Sequence, residues 1–309
     1  MYQTTIKKRI HCAGVGLHSG KMVELTMRPA AENTGIVFHI VGPEGVRDIS
    51  PTPGAVISTG LATTLGAKGV AVSTVEHLLA ALRGLSIDNI HIDVDGAEIP
   101  IMDGSAAPFV LLFKDAGIHV QSAPRKALRV REPFTYEKDG KSIVAEPYDG
   151  FAVDCLIDFP HPAVGRQRLT LNVTPQSFAQ VAMARTFGFL RDVEALQSRG
   201  LALGGSLSNA VVLDERGVVN EEGLRAPDEF VRHKLLDFIG DMAMLPLPLM
   251  GRFTVRCSGH AVNNEFLRAI VAGNGLQEVT LAPSAAPRRP KVAQTRPEAR
   301  PEACPALAG

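Results

Sequence analysis

What the 309-residue sequence lacks narrows its function before any motif is weighed. It has no charge excess, with 32 lysines and arginines against 32 aspartates and glutamates. A nucleic-acid binder usually carries a basic face or a strongly basic isoelectric point, so nucleic acid is not an expected partner. No stretch approaches the roughly 20 apolar residues of a membrane span. The opening "MYQTTIKKRI" has charges but no apolar run behind them, so no secretory signal is expected and the chain reads as cytoplasmic. Cysteine is scarce: Cys12, Cys155, Cys257 and Cys304 lie far apart and form no CxxC pair. They read as reduced thiols, neither a disulfide framework nor a thiolate metal site. Phosphate-loop signatures are also missing. "GVGLHSG" (14–20) has Ser19 where GxGxxG needs glycine, and there is no Walker lysine motif.

What is present has the composition of an ordinary globular protein, 45% hydrophobic and 21% charged. The length favours two domains over one core. "QSAPRKALRVREPF" (121–134) looks like the join, giving an N-terminal α+β domain over 1–122 and a C-terminal one over 123–280. From Leu281 the chain holds six of its 21 prolines and little periodic apolar pattern, and 281–309 is expected to be a disordered Pro/Arg-rich tail. A weak internal repeat supports the split. "EHLLAALRGL", "IHIDVDG" and "SAAPFVLLFKDAG" repeat in order and type as "RHKLLDFIGD", "GRFTVRCSG" and "VNNEFLRAIVAG". His77 to Gly117 and His233 to Gly273 are each 40 residues. Helix, strand, helix in both halves predicts a duplicated α+β fold with helices covering one face of each sheet.

"FVRHKLLDFIGDMAML" (230–245) places His233, Asp237 and Asp241 at i, i+4 and i+8, on one helical stripe beside an apolar face. Polar groups beside a core need partners or something to coordinate. "STVEHLLAAL" carries His77 at the corresponding place in the first half. If the two helices face each other, His77, His233 and Asp237 make two nitrogens and one oxygen with a position left for water, a familiar catalytic zinc set. Asp241 then orients another site group, and Glu76 stands where a metal-bound water needs a base. His260 in "VRCSGHAVNNEF", at a strand-to-helix turn, suits proton donation at neutral pH. Plainer readings stay open on these patterns alone. Ser73-x-x-Glu76 is also a capping box, His77 reads equally as a core histidine, and His233 with Asp237 as an i,i+4 pair. "HIDVDG" is rejected as a metal site, because His91, Asp93 and Asp95 alternate with Ile90, Ile92 and Val94 as in any half-buried strand.

"STVEHLLAAL", "DGAEIPIMDGSAAPF", "ARTFGFLRDVEALQSRGLALGGS", "FVRHKLLDFIGD" and "SGHAVNN" together resemble the bacterial UDP-3-O-acyl-N-acetylglucosamine deacetylases, from the N-terminus to about residue 275. That resemblance implies a zinc amidase of lipid A biosynthesis in Gram-negative bacteria. It implies two similar α+β domains, with helices sandwiched between the two sheets and the active site at the domain interface. It also implies one zinc per chain on His77, His233 and Asp237, Glu76 as general base, and His260 as general acid with Asp241 bonded to it. Thr186 is implied to help hold the oxyanion, Phe187 to contact the sugar and Lys234 the diphosphate. An insert near 187–213 is implied to form an apolar passage for the acyl chain. Hydrophobicity alone would place Leu190, Leu196, Leu201 and Leu203 of that stretch in the core, while the paired glycines of "LALGGS" suit close approach to a ligand. The expected partner is the UDP-linked acyl sugar, handled by a monomer with at most transient membrane-surface contact. Two alternatives remain: a non-haem iron enzyme, which shares the ligand set, and a non-catalytic protein that binds sugar nucleotide or glycolipid.

Overall fold

The computed structural model describes residues 1–42, 45–67 and 69–282. The tail expectation, beyond its first two residues, lies outside the described residues. The first half runs β1 (Tyr2–Ile6), β2 (Ile10–Val15), β3 (Met22–Pro29), β4 (Ile36–Gly42) and β5 (Gly45–Ile49). Three short strands follow, β6 (Val56–Ser58), β7 (Thr64–Ala67) and β8 (Val70–Val72), and then α1 (Glu76–Gly84). The half closes with β9 (Ile90–Asp95), α2 (Ala107–Ala116) and β10 (Ile118–Pro124). The second half opens with β11 (Lys126–Val130), β12 (Phe134–Lys138), β13 (Lys141–Glu146), β14 (Phe151–Phe159) and β15 (Gly165–Asn172). After α3 (Ala179–Ala182) come β16 (Phe187–Phe189), α4 (Leu190–Gln197) and β17 (Val211–Leu213). It ends with α5 (Glu229–Met242), β18 (Leu249–Arg256), α6 (His260–Ala272) and β19 (Leu276–Thr280).

The strand between the two helices is central in both sheets, which gives the 40-residue repeat its physical meaning. β9 sits inside the order β2-β3-β9-β4-β5, antiparallel to β3 and parallel to β4. β18 is likewise internal, antiparallel to β13 and parallel to both β11 and β14. Central strands need apolar residues at alternate positions to bury one face. In β9 these are Ile90, Ile92 and Val94, and in β18 Leu249, Phe253 and Val255. The expected α+β class holds. On the outer face of β9 the His91 ring pairs with His39 (2.9 Å) and Asp93 with Arg28 (2.7 Å), so those polar residues are satisfied by neighbouring strands.

The helices meet in the middle. α1 and α5 pack against each other, carrying Leu78, Leu79 and Leu82 on one side and Leu236, Phe238 and Ile239 on the other, all buried. Gly240 permits the contact. A Cβ at that position would stand 2.8 Å from the Glu76 carbonyl carbon and closer still to its oxygen. No helix among the described residues is long and apolar enough to cross a membrane.

One buried ion pair ties α5 to the loop before β16. Arg185 reaches Glu229 through Nε at 3.0 Å, and Glu229 also accepts the Arg185 and Arg225 backbone N–H groups. Burial alone would raise the Glu229 carboxyl, but Arg185 and these amides override it and hold the group below the usual glutamate range. The stabilisation is therefore fully present above the unfolded value near 4.3 and is lost as pH falls through the lowered folded value. Urea unfolding between pH 6 and 3 is expected to show a fall in stability that Glu229→Gln flattens. An unchanged slope in that variant would remove Glu229 from the account.

Candidate active site

α5 presents His233, Asp237 and Asp241 one turn apart, all buried, towards the first turn of α1, where Glu76 and His77 lie. The Nε2 atoms of His77 and His233 stand 3.5 and 3.4 Å from Asp237 Oδ1, and their rings are edge to face at 5.0 Å. These three residues form the one group among the described residues with the donor set and spacing to hold a metal ion. A fit test lies in the atoms themselves. Asp237 Oδ1 is buried and makes no hydrogen bond in the structure, a costly state unless something else satisfies it. Ligands about 2.05 Å from a tetrahedral ion sit about 3.3 Å apart along an edge, close to both separations. His233 Nδ1–H donates to the Ala184 carbonyl at 3.1 Å, which leaves Nε2 its lone pair, as a ligating imidazole requires. Burial, followed by His77 and Lys234, pulls the His233 imidazole down to about 4, so it stays neutral. Burial would raise the Asp237 carboxyl, but His233 and Lys234 hold it well below the usual carboxylate range.

Glu76 and His260 flank this group from opposite helices. His260 is the first residue of α6, reached through a turn in which Cys257 takes φ 50°. Its Nε2 lies 3.8 Å from Glu76 Oε1 and 4.0 Å from Asp237 Oδ2, while its Nδ1–H donates to Asp241 Oδ2 at 2.8 Å. Burial works against the charged imidazole, yet Asp241 and Glu76 override it and carry His260 up to about 10. The Glu76 carboxyl is raised as well: burial raises it, with His260 and His77 opposing. A carboxyl made more basic by burial and an imidazolium held protonated by its carboxylate neighbours thus sit side by side.

The capping-box reading fails. Glu76 Oε2 accepts the Thr63 N–H at 3.1 Å, the Ser73 N–H goes to the Ala97 carbonyl, and Thr74 between them takes φ 58°. Two residues enter that pattern reading passed over. Thr63 donates its hydroxyl to Asp241 Oδ1 (2.7 Å) as well as its N–H to Glu76, so one residue holds both carboxylates. Asn263 donates to Asp241 Oδ2 at 2.7 Å. Its position three residues after His260 on a helix was a readable signal, whereas Thr63 left none.

Of the remaining expected residues, Phe187 and Lys234 touch this centre. Phe187 opens β16 and packs edge-on against Phe230 at 5.0 Å and the His233 ring at 6.2 Å. Lys234 Nζ rests on Asp237 Oδ2 at 2.7 Å and lies 5.9 Å from the Phe187 ring centre. Thr186, half-buried, is fixed by backbone bonds from its N–H to Gly104 O and from Val211 N–H to its own carbonyl.

The insert departs from the core reading of its leucines. Leu190 is 50% exposed and Leu203 52%, and α4 buries none of its residues. Here the chain runs over the surface, so hydrophobicity does not report burial. The paired glycines also have a different use. Gly204 lets the insert backbone lie against Gly16, with Gly204 N–H bonded to Leu17 O and Leu203 N–H to His18 O. That tethers the insert to the 14–20 loop. The loop's own amides at His18 and Ser19 are captured by the buried Glu98 carboxylate, each at 2.9 Å, which leaves no phosphate cradle there.

A family model described as UDP-3-O-acyl N-acetylglycosamine deacetylase matches residues 3–272. The chain is 60% identical over 300 residues to the UDP-3-O-acyl-N-acetylglucosamine deacetylase of Nitratidesulfovibrio vulgaris, covering 97% of each chain. It is 65% identical over 271 residues to the protein of that name from Oleidesulfovibrio alaskensis, covering 87% of this chain and 89% of the relative. A Haemophilus influenzae protein of the same name is 50% identical over 274 residues, covering 87% and 90%.

Proposed function

Because the chain belongs to the UDP-3-O-acyl-N-acetylglucosamine deacetylase family, we propose that it hydrolyses the N-acetyl group of UDP-3-O-(3-hydroxyacyl)-N-acetylglucosamine. The products are acetate and the free 2-amino sugar nucleotide, and the reaction is the committed step of lipid A synthesis. The observation that carries this reading is the buried, unbonded Asp237 Oδ1 set between two histidine Nε2 atoms, with a base and an acid beside it. His77, His233 and Asp237 would hold one zinc ion per chain. Such an ion supplies Lewis acidity, drawing electron density from an amide carbonyl and easing deprotonation of water.

The chain's own residues do the rest. Glu76, made more basic by burial, takes the proton from the attacking water. His260, kept as imidazolium by Asp241, gives a proton to the departing amine. Thr63 and Asn263 lock Asp241, and through it the His260 ring, so that Nε2 faces the reacting centre. The Thr186 hydroxyl donates to the developing oxyanion, a contribution commonly worth about 3 kcal/mol per donor. Phe187 lies against the sugar. Lys234 serves the diphosphate, exchanging its present carboxylate partner for a phosphate one. The insert of 187–213 carries the acyl chain over its exposed leucines, within the second of two units, 1–122 and 123–280. We take the enzyme to work as a cytoplasmic monomer whose acyl substrate brings it into transient contact with a membrane surface.

The pairing of Glu76 with a protonated His260 favours hydrolysis over iron-dependent oxygen chemistry, which has no use for an acid and a base at that spacing. The deciding measurement is acetate release by purified protein before chelation, after chelation, and after zinc is returned. Release is expected to vanish with the metal and return with zinc. Release that survives exhaustive chelation, or that depends on oxygen or a keto acid, would overturn the assignment.

A further inference from the structure

A cavity of about 400 Å³ opens where the two halves meet. Neither the metal-binding group nor Glu76 or His260 lines it. Its walls come from the first half, from the join between halves, and from the segment just after α5. Three cations face it, Arg83, Arg125 and Lys126, against two carboxylates, Asp88 and Glu278. Both carboxylates are already engaged. Asp88 takes Arg125 Nε at 2.9 Å and the Thr4 N–H at 3.0 Å, and Glu278 takes Lys126 Nζ at 2.8 Å. Arg83 has no ion pair among the described residues. One of its Nη atoms donates to the Leu245 carbonyl at 2.8 Å. Burial pulls its guanidinium down to about 10, and Arg125 pulls the same way against Asp88. The cavity lining therefore carries one more positive charge than its carboxylates balance, with Asp88 acting on both Arg125 and Arg83, a costly arrangement in a partly desolvated place. Planar N–H forks of this kind match oxyanion geometry and bind it through paired, charge-assisted hydrogen bonds.

We propose that this cavity is a binding site for a phosphate-class oxyanion, held by the guanidinium groups of Arg83 and Arg125. The location gives such an ion leverage on the active site. Arg83 lies in the last turn of the helix whose first turn carries Glu76 and His77. Its bonded partner Leu245 follows the helix that carries His233, Asp237 and Asp241. An anion bridging Arg83 to Arg125, at the join, ties both halves and both helices at one point.

The test uses the zinc-loaded full chain, titrated calorimetrically with inorganic phosphate and, separately, with glycerol 3-phosphate, at ionic strength held constant with chloride. Saturable 1:1 binding is expected, with a parallel rise in Tm. Arg83→Met and Arg125→Gln should each weaken it about tenfold or more, and His77→Ala should leave it unchanged. Two arginine variants are needed because Arg83→Met also removes the bond to Leu245. Loss in either folded variant upholds the site, and the tighter probe shows whether a free or an esterified phosphate is the ligand. No saturable binding, binding that persists in both arginine variants, or binding lost in His77→Ala alone overturns the proposal.

Discussion

Glu76→Gln is expected to lower turnover by about two to four orders of magnitude, the range for removing a positioned proton acceptor, while zinc content and Tm stay near wild type. Glutamine keeps the shape of glutamate and retains an oxygen for the Thr63 N–H, the one side-chain hydrogen bond of Glu76 among the described residues. What it loses is basicity. A plain helix-capping role would tolerate the change, and the structure has already removed that role by sending the Ser73 N–H to Ala97. The substitution also withdraws a negative charge 3.8 Å from His260 Nε2, so the imidazolium loses one of its two main supports while keeping Asp241. The loss of kcat is thus expected without a comparable change in KM, since Glu76 acts on the attacking water rather than on the sugar nucleotide. Steady-state acetate release with metal analysis on the same preparation checks this. Turnover within a fewfold of wild type, in a variant that retains its zinc, would take the base assignment away from Glu76.

The parts of this site that were legible in the sequence are those set by short-range geometry. His233, Asp237 and Asp241 announce themselves because a helix repeats every 3.6 residues, and the apolar flanks fix which way the stripe faces. The α1 to β9 to α2 unit and its counterpart α5 to β18 to α6 were visible for the same reason. Thr63 was not, because its bond to Asp241 spans 178 residues and no local pattern carries information across that distance. Ser73 and Glu76 have the right spacing for a cap, but spacing is silent about the left-handed turn at Thr74 that breaks it. The leucines of the insert failed differently. An apolar residue is read as buried unless something says otherwise, and the departure from that rule at Leu190 and Leu203 lies in tertiary structure. The paired glycines suggested close approach to a ligand, and at Gly204 the group that approaches in the structure is the chain's own backbone at Gly16.

Gly240→Ala tests the same boundary between local and tertiary rules, and the two predict opposite signs. Alanine favours a helix interior over glycine by about 1 kcal/mol, so from α5 alone the change should stabilise. The expected result is a loss of about 3 kcal/mol or more, at the upper end of overpacking costs. The added methyl would lie 2.8 Å from the Glu76 carbonyl carbon and closer still to its oxygen, inside the distance real Cβ atoms keep. Those neighbours are backbone, so no rotamer change relieves the clash, and α1 has to move away from α5 as a unit. α1 is closely packed at its other end as well, where Gly84 lies against the buried Phe178 ring. Since α1 carries Glu76 and His77 and α5 carries His233 and Asp237, separating them also spreads the metal-binding group. A shift of roughly 1 Å is enough to cost about 100-fold in rate. Urea unfolding and zinc affinity should therefore both weaken in Gly240→Ala, and activity should fall even in the folded fraction. A higher unfolding midpoint with unchanged zinc affinity would mean that α1 and α5 adjust freely, and that the crossing at Gly240 does not set the geometry of the site.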